Sequence, residues 1–321
     1  MRKSKSKRLL SCQASGVDAR HPPPTRTPLH AAFGVLAAAF VFALAGCAGL
    51  AANDDAAPTA TRVAALLPAD ALLLGEQHDA PDHQRIERET VEALAARGQL
   101  AALALEMAEQ GSDTRHLPPG ASEDAVRTAL SWNEAGWPWD AYGPVVMAAV
   151  RSGAPVFGAN LPRARMKDAM ADVSLDAQLP PPALAAQQEA VREGHCNLLP
   201  EAQIGPMTRI QVARDRAMAQ TVVQARVPGK TVLLVSGAGH STKALGVPQM
   251  LPTDLRVRTV RMVAGSGAPP AAQPDAGAAD IAGTPGSTQA AAMDAKAFDA
   301  IWHTPAMPPR DYCAQFKRSR G

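Results

Sequence analysis

Aromatic side chains are scarce in this 321-residue chain, 4% in all, with two tyrosines and four tryptophans. No basic patch with interleaved aromatics occurs, so nothing points to nucleic acid. The apolar stretch near the start, residues 31–45, falls short of the span of a bilayer-crossing helix. A Gly-x-Ser-x-Gly elbow is missing, which argues against a serine hydrolase of the α/β type. The His-x-x-x-His spacing of helical zinc sites is missing too. Gly237-Ala238-Gly239 runs into His240, without the third glycine or the later ribose-binding acid of a dinucleotide loop.

Residues 1–46 have the layout of a secretory leader. Arg2, Lys3, Lys5, Lys7 and Arg8 precede the apolar stretch, and Leu44-Ala45-Gly46-Cys47 follows it. These last four residues match the bacterial lipobox, which predicts cleavage before Cys47, lipid on its sulfur and a membrane anchor. An uncleaved anchor and an ordinary signal are the alternatives. Ala48 in place of Asp favours the outer over the inner membrane, with the protein facing the periplasm or the cell surface. The leader holds seven Lys/Arg and one acid, +6 against the whole chain's +2, so the remainder carries −4. The 275 residues that follow suffice for one α/β domain. Apart from Cys47 they contain Cys196 and Cys313, which an oxidising compartment would pair in a disulfide. Two separate thiols, or a metal pair with His195, are the alternatives.

Residues 47–62 read as a tether and 63–317 as a single domain. In that domain four apolar runs end in polar clusters. Ala71-Leu72-Leu73-Leu74 leads to Gly75-Glu76-Gln77-His78-Asp79, residues 100–105 lead to Glu106, Pro155-Val156-Phe157 leads to Asn160, and residues 231–235 lead to Ser236-Gly237-Ala238-Gly239-His240. Short apolar runs separated by helix-length segments predict buried parallel strands in βαβ units. Their carboxyl ends share one edge of the sheet, so His78, Glu106, Asn160 and His240 are expected to converge. Helices are predicted over 81–97, with Glu87 facing water, and over 206–226. Residues 255–263 read as an edge strand, 264–292 as a disordered low-complexity insert, and 298–304 as a strand closing an antiparallel hairpin. The fold class is therefore α/β, a mostly parallel sheet flanked by helices, with an antiparallel hairpin at its C-terminal edge.

Three constellations can carry chemistry. Gly75 lets the chain turn sharply and present Glu76 and His78, which with Glu106 form a pocket suited to a metal or to a general base with an orienting acid. His83, one helical turn on, is placed to support it. In the second, Gly237-Ala238-Gly239-His240, His240 reaches the same pocket while Ser236 and the glycines allow close approach of a ligand. The third is the loop 131–142, which holds three of the four tryptophans. It reads either as an apolar plug on the sheet or as a wall for a flat ligand, with Trp139 against the ring and Tyr142 offering a phenolate to ferric iron. Only Tyr142 and Tyr312 compete for that role, and Tyr142 lies in the aromatic loop.

Leu-Gly-Glu-Gln-His-Asp-x-Pro-Asp-His at 74–83, Leu-Glu-Met at 105–107, Trp-x-Trp-x-x-Tyr-x-Pro at 137–144, Ala-Asn-Leu-Pro-Arg at 159–163, Arg-Asp-x-x-Met-Ala at 214–219 and Gly-x-Gly-His at 237–240 occur in this order. The set resembles the ChaN-type haem-binding lipoproteins, of the superfamily that also holds Tiki-type metalloproteases and erythromycin esterases. The resemblance covers 63–317 apart from the insert. It implies haem as ligand and a role in bacterial haem and iron acquisition; Tyr142, His78, His240 and Trp139 are the candidate haem contacts, with Tyr142 on the iron, and a homodimer is possible. The superfamily offers the alternative of a hydrolase using Glu76, His78, Glu106 and His240, with or without a divalent metal.

Overall fold

The computed structural model describes residues 55–265, 296–308 and 310–318. The leader, Cys47 and most of the low-complexity insert lie outside them. Six strands form one sheet: β1 (Ala71–Glu76), β2 (Leu100–Glu109), β3 (Val156–Asn160), β4 (Thr231–Gly237), β5 (Val257–Ala264) and β6 (Ala300–Thr304). Their order across the sheet is β3-β2-β4-β1-β5-β6, and every pairing is parallel. The expected antiparallel hairpin is therefore wrong. β5 and β6 pair in parallel from Val260↔Ala300 to Ala264↔Thr304, and the number of residues between them in sequence is ample for the crossover that a parallel pair requires. β5 is an internal strand, and β6 forms the edge.

The helices are α1 (Thr59–Ala65), α2 (Pro81–Ala96), α3 (Glu123–Ala129), α4 (Trp139–Arg151), α5 (Met166–Ala171), α6 (Pro181–Gly194), α7 (Glu201–Gln224) and α8 (Tyr312–Arg318). The tether expected to end at residue 62 stops earlier. Thr59 and Val63 of α1 are buried, and Asp55 accepts from the backbone N–H of His303 at 2.8 Å. α7 begins before Pro206, which lies inside it.

Side chains alternate across the strands, and the two faces have different cores. Leu72, Leu74, Leu103, Leu105, Leu233 and Val235 meet the layer containing α2 and α4. Leu73, Ala102, Ala104, Val232 and Leu234 meet Met218 and Val222 of α7. The chain steps outward from β1 to β2 to β3 and then returns, and right-handed crossovers put helices on opposite faces when the direction reverses. Because β4 fills the place between β1 and β2, its end stands between Glu76 and Glu106. Ligand crevices form where strand order reverses in this way.

Candidate functional site

The two carboxylates at the strand ends face opposite layers. Glu76 has the parity of Leu72 and Leu74 and points toward α2 and α4; Glu106 has the parity of Ala102 and Ala104 and points toward α7. Gly237 lies between them. A Cβ there would come within 2.9 Å of His78 Nε2, so the missing side chain lets the imidazole rest on the backbone. Gly75 serves packing rather than the expected turn. It remains in the ladder opposite Ser236 and Arg261, and a Cβ would stand 2.8 Å from Ala238 Cα.

Glu106 is the hub of the site. Its Oε1 lies 3.5 Å from His240 Nε2, its Oε2 lies 3.9 Å from His78 Nε2, and Oε2 accepts the Gly237 N–H at 2.8 Å. Each imidazole is held from behind by another acid. His78 Nδ1 is 2.8 Å from Glu76 Oε1, and His240 Nδ1 is 2.7 Å from Asp215 Oδ1. Burial disfavours a charged His240, but Glu106 and Asp215 outweigh it and raise its pKa to about 10. Burial likewise opposes ionisation of Glu106, yet His240, His78 and the Gly237 N–H hold it well below the usual carboxylate range. His78 is also raised, Glu76 and Glu106 overcoming its desolvation. At neutral pH the pair is an imidazolium, His240, against a carboxylate, Glu106. Asn160 joins only through the backbone, donating to the Glu106 carbonyl at 2.9 Å.

On the other face Tyr142 is 1% exposed, and its hydroxyl donates to Glu76 Oε1 at 2.8 Å. Burial, followed by the Glu76 charge, pushes its ionisation far above the ordinary range for a phenol. This geometry speaks against the expected tyrosinate at Tyr142: the oxygen is enclosed, protonated and already committed. Glu87, expected to face water, is fully buried, and burial beside Glu76 raises its pKa well above the usual range, so it is a neutral acid. The helix explains the error. His83, Glu87, Thr90, Val91 and Leu94 form one stripe of α2 against the sheet, and all are buried. Gln84 completes the layer by donating to Glu76 Oε2 and to the His78 carbonyl, both at 3.0 Å. His83 accepts the Gln77 N–H at Nδ1 and meets Thr304 Oγ1 at Nε2, and burial lowers its pKa to about 4.

The aromatic loop combines both readings of it. Trp132 and Trp139 pack edge to face, 5.0 Å between centroids, and Trp139 Nε1 donates to Glu123. Trp139 is 6% exposed, a plug rather than the expected ligand wall. Trp137, partly exposed, meets the rim, its ring 4.9 Å from that of His78. The C-terminal tail supplies the rest of the rim. Tyr312, 38% exposed, donates to Asp79 Oδ2 at 2.7 Å and accepts from Gln77 at 3.3 Å, while Arg310 donates to Asp79 at 2.8 Å. The tail is pinned there by the Cys196–Cys313 disulfide.

Asp215, Glu87 and Gln84 were missed as site residues. For Asp215 a signal existed, an acid within the buried stripe of α7 that includes Ile204, Thr208, Val212 and Val222. Among the described residues, no three His, Cys, Asp or Glu side chains are placed to hold a metal ion, so a divalent metal gains no support from the donors. No helix among them is long and apolar enough to cross a membrane.

The model of the family described as haem-binding uptake, Tiki superfamily, ChaN matches residues 62–251, more than half of the 321-residue chain. The chain belongs to the ChaN family. The ligand of this family is haem. No curated protein sequence matches the chain. Among solved structures, ChaN of Campylobacter jejuni with cofacially bound haem is 24% identical, covering 64% of this chain and 86% of that one with a TM-score of 0.54; it shares the fold. The type III effector HopBA1 is 18% identical over 66% of this chain and 85% of that one, with a TM-score of 0.37. The rim fits haem in its donor chemistry. Tyr312 is 38% exposed, with its phenol oxygen held by Asp79 and Gln77 at the surface; a phenol oxygen is a hard donor suited to ferric iron, and Tyr312 touches the loop that carries His78.

Proposed function

We propose that this ChaN-family chain binds haem on the rim of the sheet's carboxyl edge and serves bacterial haem and iron acquisition from a lipid anchor at Cys47. The observation that carries the reading is the partly exposed His78–Trp137 ring pair, with the partly exposed Tyr312 packed against the loop that carries His78. Haem supplies a flat apolar ring and a ferric iron with axial positions to fill. Trp137 offers apolar surface to the ring. Of the two tyrosines, Tyr312 has the free face and is the better oxygen donor. His78 turns Nδ1 to Glu76 and Nε2 toward Glu106 and Gly237, so it serves as a polar contact rather than an iron ligand. His240, whose side chain is 13% exposed, stays behind it and fixes Glu106.

The lipobox and Ala48 support outer-membrane anchoring, facing the periplasm or the cell surface. Binding of haem face to face, as in the Campylobacter jejuni protein, would join two copies of this chain in a homodimer. Titrating hemin into the purified protein tests the reading. A saturable Soret shift is expected, with dimerisation in sedimentation velocity when hemin is present. An absence of saturable binding overturns it. Cys47→Ala is expected to release the protein from membrane fractions.

A second reading rests on the His240–Asp215 pair flanking Glu106. An imidazolium beside a carboxylate is a proton donor and charge stabiliser of the kind hydrolases use. Turnover of ester or peptide substrates, lost in Glu106→Gln, would establish it. Failure of both proteins alike on such a panel would remove it.

A further inference from the structure

On the opposite helical layer from the His78–Trp137 pair, a pocket of about 320 Å3 opens between α7 and the segment following β3. That volume is at the lower end of the range of small-ligand sites. Gln110, Leu161, Arg165, Arg216, Ala217 and Gln220 are among the residues that line it, and no carboxylate is.

The two arginines are poorly matched within the protein. Arg216 is half-buried, and its side chain makes no hydrogen bond or ion pair among the described residues. Arg165 has one ion pair, 3.4 Å to Asp168, with both side chains more than two-thirds exposed, a contact worth little. The Asp172 carboxylate feels the charge of Arg216, but it is exposed and engaged with Ser174. The Gln110 amide nitrogen is committed to the Ala217 carbonyl and Thr221, whereas the Gln220 side chain makes no hydrogen bond among the described residues. A partly desolvated guanidinium without an acid costs free energy that an anion would offset. The planar fork of arginine matches carboxylate and phosphate oxygens in pairs. Leu161, Pro162, Ala213 and Ala217 provide an apolar wall beside the cations.

We propose that this pocket binds a small organic anion, a carboxylate or phosphate group on a short apolar body, anchored by Arg216 and closed over by Arg165. The site is separate from the haem rim and does not depend on it.

Isothermal titration of the purified protein with phenyl phosphate and with benzoate tests the proposal and distinguishes the two anion classes. Saturable binding of at least one is expected. Arg216→Ala is expected to weaken it by about tenfold or more, the loss expected for a charge-assisted contact, and Arg165→Ala by less. Hemin binding is expected to be unaffected in both variants, which separates this site from the rim. If neither probe binds saturably, or if binding survives in the Arg165→Ala/Arg216→Ala double variant, the proposal is overturned.

Discussion

His78 and His240 are wired alike and exposed differently. Each has Nδ1 within 2.8 Å of an acid behind it, Glu76 or Asp215, and each turns Nε2 toward Glu106. Yet the His78 side chain is 40% exposed and that of His240 only 13%. The difference follows from the sheet. His78 leaves the end of β1 on the rim, while His240 sits on the turn after β4, beneath α7. The same imidazole–acid unit is thus a surface contact in one place and an internal counter-ion in the other.

The largest expected effect breaks this symmetry directly. His240→Ala leaves Glu106 and Asp215 buried without their cation, and is expected to cost about 3–5 kcal/mol in urea unfolding. His78→Ala leaves Glu76 with the Tyr142 and Gln84 donors, and is expected to cost less than about 1 kcal/mol while weakening hemin binding. Equal losses would erase the distinction. A pH series sharpens it. The folded-state pKa of His240, about 10, exceeds its ordinary 6.5, so its contribution is complete below pH 6.5 and is lost as pH rises toward 10. The wild-type protein is expected to lose stability over that range, and His240→Ala to show a flatter alkaline limb. His83 works in the opposite sense: its pKa is lowered to about 4, so stability falls as pH drops from 6.5 toward 4.

The next effect concerns what holds the exposed imidazole's surroundings together. The tail carrying Arg310 and Tyr312 reaches Asp79 and is tied to the body by Cys196–Cys313, 117 residues apart in sequence. Cys313→Ser is expected to cost about 2–4 kcal/mol and to lower hemin affinity, with the Glu106 cluster intact. An unchanged melting temperature would mean that the bridge holds nothing under strain of unfolding.

Much of this was legible in the sequence. The apolar runs ending at Glu76, Glu106, Asn160 and Gly237 marked the strands and their common edge, because parallel strands buried on both faces need continuous apolar sequence. Cysteine pairing followed from an even count. The β5–β6 direction was not legible, since a strand pattern has no direction and the connecting segment carries no periodicity. Glu87 was misplaced and Asp215 missed as a site residue because charge is an unreliable sign of exposure on a helix. Placement in the stripe decides, and a neutral Glu87 or an ion-paired Asp215 is compatible with burial. Tyr142 was chosen for its aromatic neighbours, and those neighbours are what enclose it.

A last pair of substitutions separates the two tyrosines. Tyr142→Phe removes a hydroxyl that donates to Glu76 inside the protein, leaving that acid with Gln84 and His78. A loss of about 1.5–3 kcal/mol is expected, the range for a hydrogen bond to a charged group. Tyr312→Phe removes a hydroxyl that is exposed and whose acceptor, Asp79, keeps Arg310 and Gln77, so stability should change by no more than about 0.5 kcal/mol. The order reverses for ligand binding. If Tyr312 supplies the phenolate, the ferric–phenolate charge-transfer band of the hemin complex disappears in Tyr312→Phe and persists in Tyr142→Phe. Phenol ionisation explains the asymmetry: Tyr142 would have to release its proton beside Glu76 and Glu87 in a closed core, whereas Tyr312, although partial burial and Asp79 also raise its pKa, stands at the exposed rim beside the Arg310 cation. A band that survives in Tyr312→Phe and vanishes in Tyr142→Phe would mean that the buried region opens to receive haem, and that the inner and outer halves of the site are not the separate environments their exposures describe.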